Sequence, residues 1–444
     1  MPAQNVADST LAWDASAVWH PYTQMLTAPP PLAIARGEGA WLVAEDGRRY
    51  LDAISSWWVT LHGHAEPRIA AAIARQAAEL EQVIFAGCTH RPAAALAERL
   101  RRRLPAGLER LFFSDNGSTA VEVAIKLALQ YWHNLGYPQR RKIVALEHAY
   151  HGDTFAAMAA GAPSPFTAAF AAWSLPVERA PAAYCYRCPL GLRRDACSID
   201  CLSGLEALLA ADAGEEIAAV LVEPLLQGAG GMIVHPVEFL QGVRRLCDRY
   251  GVPLIADEVL TGFGRPGKMF ACELAGVAPD LICLSKGLTG GFLPLAVTAA
   301  TARIYQAFLS RDRRKTFFHG HSFTANPLGC AAALASLEIF ESEPVFERIA
   351  RIAAVHAERL PALAAHPRVG DARQLGTVAA IELAEGAGDY LAGIGPRLQA
   401  FYLERGVLLR PLGGVIYVLP PYCIQPGELH RVWDVVAESL DRII

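Results

Sequence analysis

A carboxylate and an amine close two apolar runs in the stretch VPLIADEVLTGFGRPGKMFACELAGVAPDLICLSKGLTGG, residues 252–291. Residues 252–256 and 281–284 have the length and punctuation of buried strands in a parallel sheet. Asp257 ends the first run and Lys286 follows the second after Ser285. Both should therefore sit at strand C-termini, where open α/β sheets bind ligands. A lysine able to condense with an aldehyde, beside an acid that keeps a pyridine nitrogen protonated, is the pair that pyridoxal 5'-phosphate chemistry needs. The chain holds only five lysines. Lys126 falls in a helical pattern, Lys142 and Lys315 in basic runs and Lys268 in a Gly/Pro turn; Lys286 alone has apolar surroundings. Desolvation there favours the neutral, nucleophilic amine.

The same stretch admits a nucleotide site, since residues 262–268 spell G-x-x-x-x-G-K ahead of Met269. A phosphate loop of that kind needs Ser or Thr after the lysine to bind magnesium and a strand of its own in front, and neither is present. A better phosphate candidate is SDNGST, residues 114–119, between a short strand at 111–113 and an amphipathic helix at about 120–134. Gly117 permits close backbone approach, and Ser118, Thr119 and the free N–H groups of a first helical turn suit a dianion. Plain N-capping by Ser118 or Thr119 is the competing use of the motif. Other predicted strand ends carry Glu147 with His148, and Glu223.

These residues need a framework of alternating strands and helices. Further strands are predicted at 143–146, 218–222 and 295–299, with helices at 67–82, 92–103, 237–250 and 326–341. Alternation at this spacing implies right-handed βαβ units and a mainly parallel sheet. The first 60 or so residues read instead as a hairpin-bearing segment, with strands at 40–44 and 50–54 around the turn Asp46-Gly47. Beyond about residue 340, two Ala-rich helical patterns lead into a strand-like tail at 377–383 and 415–419. At 444 residues and 53% hydrophobic, the chain can bury a large core and divide into two or three lobes.

A net charge of −4 without a long basic tract implies neither nucleic acid nor an anionic membrane as partner. No apolar run reaches the length of a membrane span, and the N-terminus lacks a cationic head and apolar h-region, so a cytoplasmic location is expected. Six of the ten cysteines are scattered, and Cys185, Cys188, Cys197 and Cys201 form C-x2-C-x8-C-x3-C. Four zinc thiolates or four free thiols in a surface insertion both fit; the spacing between the pairs is shorter than in common zinc modules, and an inert or structural role away from the cofactor is expected.

Over nearly its whole length the chain resembles the class III, or ω-amino, transferases of the fold type I pyridoxal phosphate enzymes. The resemblance rests on SDNGSTAVEVAIKLA, EHAYHGDTFAAM, VEPLLQGAGGM, LIADEVLTGFGRPGKMFACE, LICLSKGLTGG and HGHSFTANPLGCAAA in that order. It implies an α/β fold: a large domain, 66–335, with a mainly parallel seven-stranded sheet, and a small α+β domain built from 1–65 and 336–444. By the same resemblance Lys286 is the Schiff-base lysine, Asp257 pairs with the pyridine nitrogen, and Gly117 with Ser118 binds the phosphate. Tyr150 and Val259 cover the two faces of the ring, and Glu223 lies near the cofactor. Ser322, beside His321, falls where the family reaches the phosphate of the neighbouring subunit, which implies a homodimer with shared sites. Gly320 falls at a substrate position.

Three segments, WHPYTQM, SSWW and RPLGGVIYVLPPYCI, further resemble the branch of the class that aminates 8-amino-7-oxononanoate in biotin synthesis, with S-adenosyl-L-methionine or lysine as donor. By that resemblance Tyr22 and Asp153 meet in its substrate site, with Tyr22 among the catalytic residues, and Trp57 and Arg410 match its substrate contacts. As adjacent residues of a strand, Trp57 and Trp58 would face opposite ways. His321-Ser322 stands where another branch has Pro-Thr, and the cysteine-bearing insertion is outside the minimal pattern. Competing readings are another ω-transaminase acting on a diamine or ω-amino acid, an isomerase or decarboxylase on the same cofactor, and a non-catalytic binding relative.

Overall fold

A computed structural model describes residues 9–385, 390–391 and 393–444. Residues 1–8 of the expected N-terminal segment, and 386–389 and 392 of the expected small domain, lie outside the described residues. The centre of the molecule is a seven-stranded sheet: β1 (Leu108–Ser114), β2 (Lys142–Leu146), β3 (Val177–Ala180), β4 (Ile217–Val222), β5 (Leu254–Asp257), β6 (Leu281–Leu284) and β7 (Ala296–Thr301). Its order is β1-β7-β6-β5-β4-β2-β3. β7 runs antiparallel to both neighbours, and the other adjacent pairs are parallel. The fold is the fold type I architecture that the sequence implied.

Burial explains why these strands read as unbroken apolar runs. Every residue of β4, β5 and β6 is buried. Along β6, Ile282 and Leu284 join one hydrophobic core while Leu281 and Cys283 join another on the opposite face. Side chains alternate across a strand, so a sheet covered by helices on both faces needs apolar residues at every position.

The helix Gly117–Leu135 follows β1 and starts three residues earlier than its periodicity predicted. Its N-cap is Asn116, not Ser118 or Thr119. The Asn116 side chain accepts from Thr119 N–H at 3.0 Å, and Asn116 N–H donates to Thr119 Oγ1 at 3.1 Å. This reciprocal cap places Ser118 in the first turn instead of ahead of it.

A second sheet joins the two ends of the chain. Strands Ile34–Glu38, Trp41–Ala44 and Arg49–Asp52 form an antiparallel meander, and Val407–Leu408 adds to it in parallel. The predicted hairpin is present, with an additional strand at its edge. A three-stranded antiparallel sheet, Val369–Leu375, Val378–Leu383 and Val415–Val418, lies farther along. Both predicted strands of the tail are among these three, and a helix that was not predicted, Pro426–Arg442, follows them. Leu429, Val432, Trp433, Val436 and Leu440 give it a buried stripe at helical spacing.

SSWW is not a strand. Ser55–Trp58 is a tight turn in which Ser55, Ser56 and Trp58 have φ of 52°, 60° and 69°. Trp57 and Trp58 do diverge, being 43% and 5% exposed, but through backbone strain and not through strand alternation.

Candidate active site

β5 and β6 pair in parallel with Asp257 opposite Cys283, so the chain leaving β6 carries Lys286 past the same edge of the sheet. Both residues line a cavity of about 690 Å³. Gly117, Ser118, Tyr150, Asp153, Glu223 and Val259 also line it. Five separate connections after strands thus deliver eight of the predicted residues to one crevice. Tertiary folding does this because parallel strands place all their C-terminal ends along one side.

Lys286 has φ 39° and is only partly accessible. Burial lowers its ammonium pKa below the usual lysine range, against the opposing pull of Asp257 and Glu223. The Trp58 ring lies 5.2 Å from Lys286 Nζ. Asp257 is fixed from two sides: His151 Nδ1–H donates to its Oδ2 at 2.7 Å, and Val259 N–H donates to its Oδ1 at 3.1 Å. His151 is buried and its Nε2 has no partner among the described residues. Burial raises the Glu223 carboxyl to about 7, although it accepts hydrogen bonds from Tyr150 N–H at 2.9 Å and Gly228 N–H at 3.0 Å. Glu223 therefore holds the backbone of Tyr150 in place.

At the other end of the cavity, the N–H groups of Gly117 and Ser118 belong to a first helical turn and have no intrahelical acceptor. The side chain of Val259 leaves no room beside Gly117: an added Cβ would stand 2.5 Å from Val259 Cγ1. Thr154 N–H donates to Ser118 Oγ at 3.0 Å, and Thr154 Oγ1 donates to Glu122 at 2.7 Å. Glu122 also accepts from Ala156 and Ala157 N–H, so it locks the loop bearing Tyr150 and Asp153 onto the helix that bears Ser118.

The predicted Tyr22, Trp57 and Arg410 do not line the cavity but join an aromatic group beside it, reached through Asp153 and Trp58, which do line it. Tyr22 OH donates to Asp153 Oδ2 at 2.5 Å, and burial, followed by that bond, raises the phenol to about 12. The Tyr22 ring meets Trp57 and Phe166 edge to face, and Phe166 meets Tyr390. Arg410 stacks on Trp57 with its guanidinium carbon 4.7 Å from the ring centroid. Among the described residues it makes no ion pair.

Gly320, His321 and Ser322 do not line the cavity. Thr324 Oγ1 accepts from His321 N–H at 3.0 Å, and Gln82 Nε2 donates to Ser322 O at 2.6 Å. The four clustered cysteines form no disulfide and line a separate pocket of about 20 Å³. Their segment is tied to the strand Val378–Leu383 by bonds from Tyr184 and Arg187 to Glu382. Among the described residues no group of three potential ligands is set to hold a metal. Sequence reasoning missed His151, Trp58, Glu122 and Thr154. His151 adjoins Tyr150 in AYHGDT, but its neighbour His148 drew attention as the strand-end residue, and only a long-range contact identifies the histidine that reaches Asp257.

Residues 22–440 match the family described as Aminotransferase class-III. An adenosylmethionine-8-amino-7-oxononanoate aminotransferase of Synechococcus elongatus is 51% identical over 427 residues, 96% of this chain and 99% of that protein. The crystal structure of the enzyme of the same name from Methanocaldococcus jannaschii superposes with a TM-score of 0.90 at 38% identity, covering 97% of this chain and 98% of that one. An amine transaminase from an uncultivated Pseudomonas species, solved in a PLP-bound form, gives 0.89 at 34% identity over 96% and 99% of the two chains.

Proposed function

The chain belongs to the class III aminotransferases, and from that membership we propose that it transfers an amino group from S-adenosyl-L-methionine to 8-amino-7-oxononanoate, giving 7,8-diaminononanoate for biotin synthesis. The observation that carries the chemistry is the convergence of Lys286, Asp257 and the Gly117–Ser118 helix terminus on one cavity. The specific substrates rest on the names of relatives that match along almost the full chain, such as the one at 51% identity.

The residues present fit pyridoxal 5'-phosphate. The cramped approach of Gly117 to Val259 leaves backbone N–H groups, with no side chain in front of them, for a phosphate. Asp257, braced by His151 and Val259, is an acceptor for a protonated pyridine nitrogen. When bound, that group supplies the electron sink that makes the donor's Cα–H bond acidic. Lys286 Nζ, whose neutral form burial favours, takes the proton as a base and returns it as an acid. Trp58 covers that amine and limits its contact with water. Tyr150 and Val259 bound the two faces of the crevice, and Glu223 keeps Tyr150 from shifting along it. Tyr22 and Asp153 bind the donor, while Arg410 with Trp57 holds the acceptor's terminal carboxylate and methylenes.

Gly320, His321 and Ser322 serve the neighbouring site of a homodimer in this reading, which agrees with their position away from the cavity of their own chain. We place the enzyme in the cytoplasm. Among the described residues no helix is long and apolar enough to cross a membrane. We keep the division at 65/66 and 335/336 as part of this reading; the separate sheets, one at 108–301 and one joining residues 34–52 to 407–408, support two lobes.

Borohydride reduction followed by peptide mapping should place a pyridoxyl group on Lys286, and the purified enzyme should aminate 8-amino-7-oxononanoate when S-adenosyl-L-methionine is supplied. Label on Lys268 would reject the site. Turnover with lysine alone would reject the donor.

A further inference from the structure

Tyr22, Trp57, Phe166 and Tyr390 form a chain of rings beside the cavity, joined by neither sequence nor a common element and linked to the cavity wall through Asp153. Their successive centroid separations are 5.7, 5.8 and 4.8 Å, and their interplanar angles are 69°, 71° and 83°. Rings set near right angles can turn several π faces toward one point. These rings are also not packed away: Trp57, Tyr22 and Phe166 are 43%, 44% and 40% exposed. Neighbouring apolar rings left open to solvent mark a binding surface. The polar edge of Tyr22 is already committed to Asp153, which adds a carboxylate beside the rings.

From this geometry we infer that the four rings are a cation–π cage for the donor's sulfonium centre. The inference rests on the donor named above and adds the chemical feature by which the site would recognise it. A sulfonium carries a full positive charge without N–H donors, so moving it from water against π faces forfeits no hydrogen bonds. A primary ammonium, as on lysine, loses three such bonds on the same transfer. The cage therefore favours a sulfonium over an ammonium of equal charge. Arg410 covers one face of Trp57 and works against a second cation there. The Asp153 carboxylate offsets that repulsion from the Tyr22 side, and Phe166 and Tyr390 carry no cation among the described residues.

The test uses the holoenzyme in its aminated form, which cannot accept another amino group, so that binding can be measured without turnover. S-adenosylmethionine and its neutral thioether, S-adenosylhomocysteine, are titrated by calorimetry. The wild type should prefer the sulfonium by about tenfold. Phe166→Leu and Tyr390→Leu keep apolar bulk but remove a π face; each should lose most of that preference, with thioether affinity changing less than about twofold. Phe166→Tyr should retain it. Cofactor absorbance and melting temperature identify any variant that fails to fold, and Phe166→Tyr then supplies the comparison with wild type. An undiminished preference in both leucine variants, or equal weakening of both ligands, overturns the cage. If the wild type binds neither nucleoside, the donor reading fails, and trimethylsulfonium chloride decides the cage alone. Tighter binding of that ion to wild type than to Phe166→Leu upholds it, and equal binding overturns it.

Discussion

Arg410 holds a delocalised charge over the Trp57 ring, with no carboxylate among the described residues to neutralise it. A planar fork fixed by stacking is poised for a carboxylate ligand, and the acceptor carries one at the end of an apolar chain. A charge-assisted bond of this kind contributes about 1.5 to 3 kcal/mol, or one to two decades in affinity. Arg410→Ala should raise the acceptor's KM by that order and leave the cofactor absorbance unchanged. An unchanged KM with a lower melting temperature would make Arg410 structural. Tyr22→Phe keeps the ring and removes only the bond to Asp153. Rapid-mixing kinetics should show the donor half-reaction slowed more than the acceptor half-reaction, and equal slowing would assign the phenol to the cofactor.

The helix Gly117–Leu135 connects the phosphate end of the cavity to the loop carrying Tyr150 and Asp153. Its N-terminus is pinned by Asn116, and Glu122 in its second turn receives the N–H groups of Ala156 and Ala157. Adding a methyl at Gly117 would force it against Val259, a residue that itself donates to Asp257. Gly117→Ala should therefore weaken cofactor binding at least tenfold, as a displacement of this contact by about 1.4 kcal/mol would do. Equilibrium dialysis would measure it, and retention of wild-type affinity would show that the phosphate does not sit on this terminus. Asn116→Ala is expected to cost the fold roughly 0.5 to 2 kcal/mol, read as a lower denaturant midpoint, since it removes the helix cap. An unchanged midpoint would show that another group satisfies the helix terminus.

Three buried histidines set the response of the whole molecule to acid. Burial lowers His62 and His235 to about 3 and His356 to about 4. Between those values and the ordinary value of 6.5, the unfolded chain binds protons that the folded chain does not, so stability falls as pH falls through that window. Each such group contributes a slope of about 1.4 kcal/mol per pH unit. Glu223, raised to about 7, acts in the opposite sense between 4.5 and 7, because the folded state then holds the proton. Burial also raises the Glu258 carboxyl, which acts in the same sense as Glu223; the three histidines outnumber these two carboxyls, and the melting temperature should drop from pH 7 to pH 5. His356 accepts from Trp433 Nε1 at 3.0 Å and donates to Thr377 O at 3.1 Å; His356→Gln should flatten the slope while lowering stability at neutral pH. An unaltered slope would mean that His356 is not the titrating group.

Sequence by itself determined six of the seven central strands, all but the edge strand Val177–Ala180, and the pair Asp257 and Lys286. Strands buried on both faces must be apolar at every position, so 252–256 and 281–284 were legible, and the charged residues that end them could only lie at the sheet's edge. The aminotransferase motifs added Tyr150 and Val259, which the fold brings to the same cavity as Gly117, already read from the turn before its helix. The partners of those residues were not legible. His151 reaches Asp257 across 106 positions and Trp58 reaches Tyr417 across 359, whereas the meeting of Tyr22 with Asp153 across 131 was implied by the resemblance. The strained turn at Ser55–Trp58 was hidden as well, because positive φ at serine and tryptophan contradicts their local preference and survives only where surrounding contacts fix it. Local pattern reports how each segment is buried, whereas contacts between distant segments depend on how the elements pack. Tertiary structure alone therefore decided which histidine braces Asp257, which tryptophan covers Lys286, and which rings gather around Tyr22.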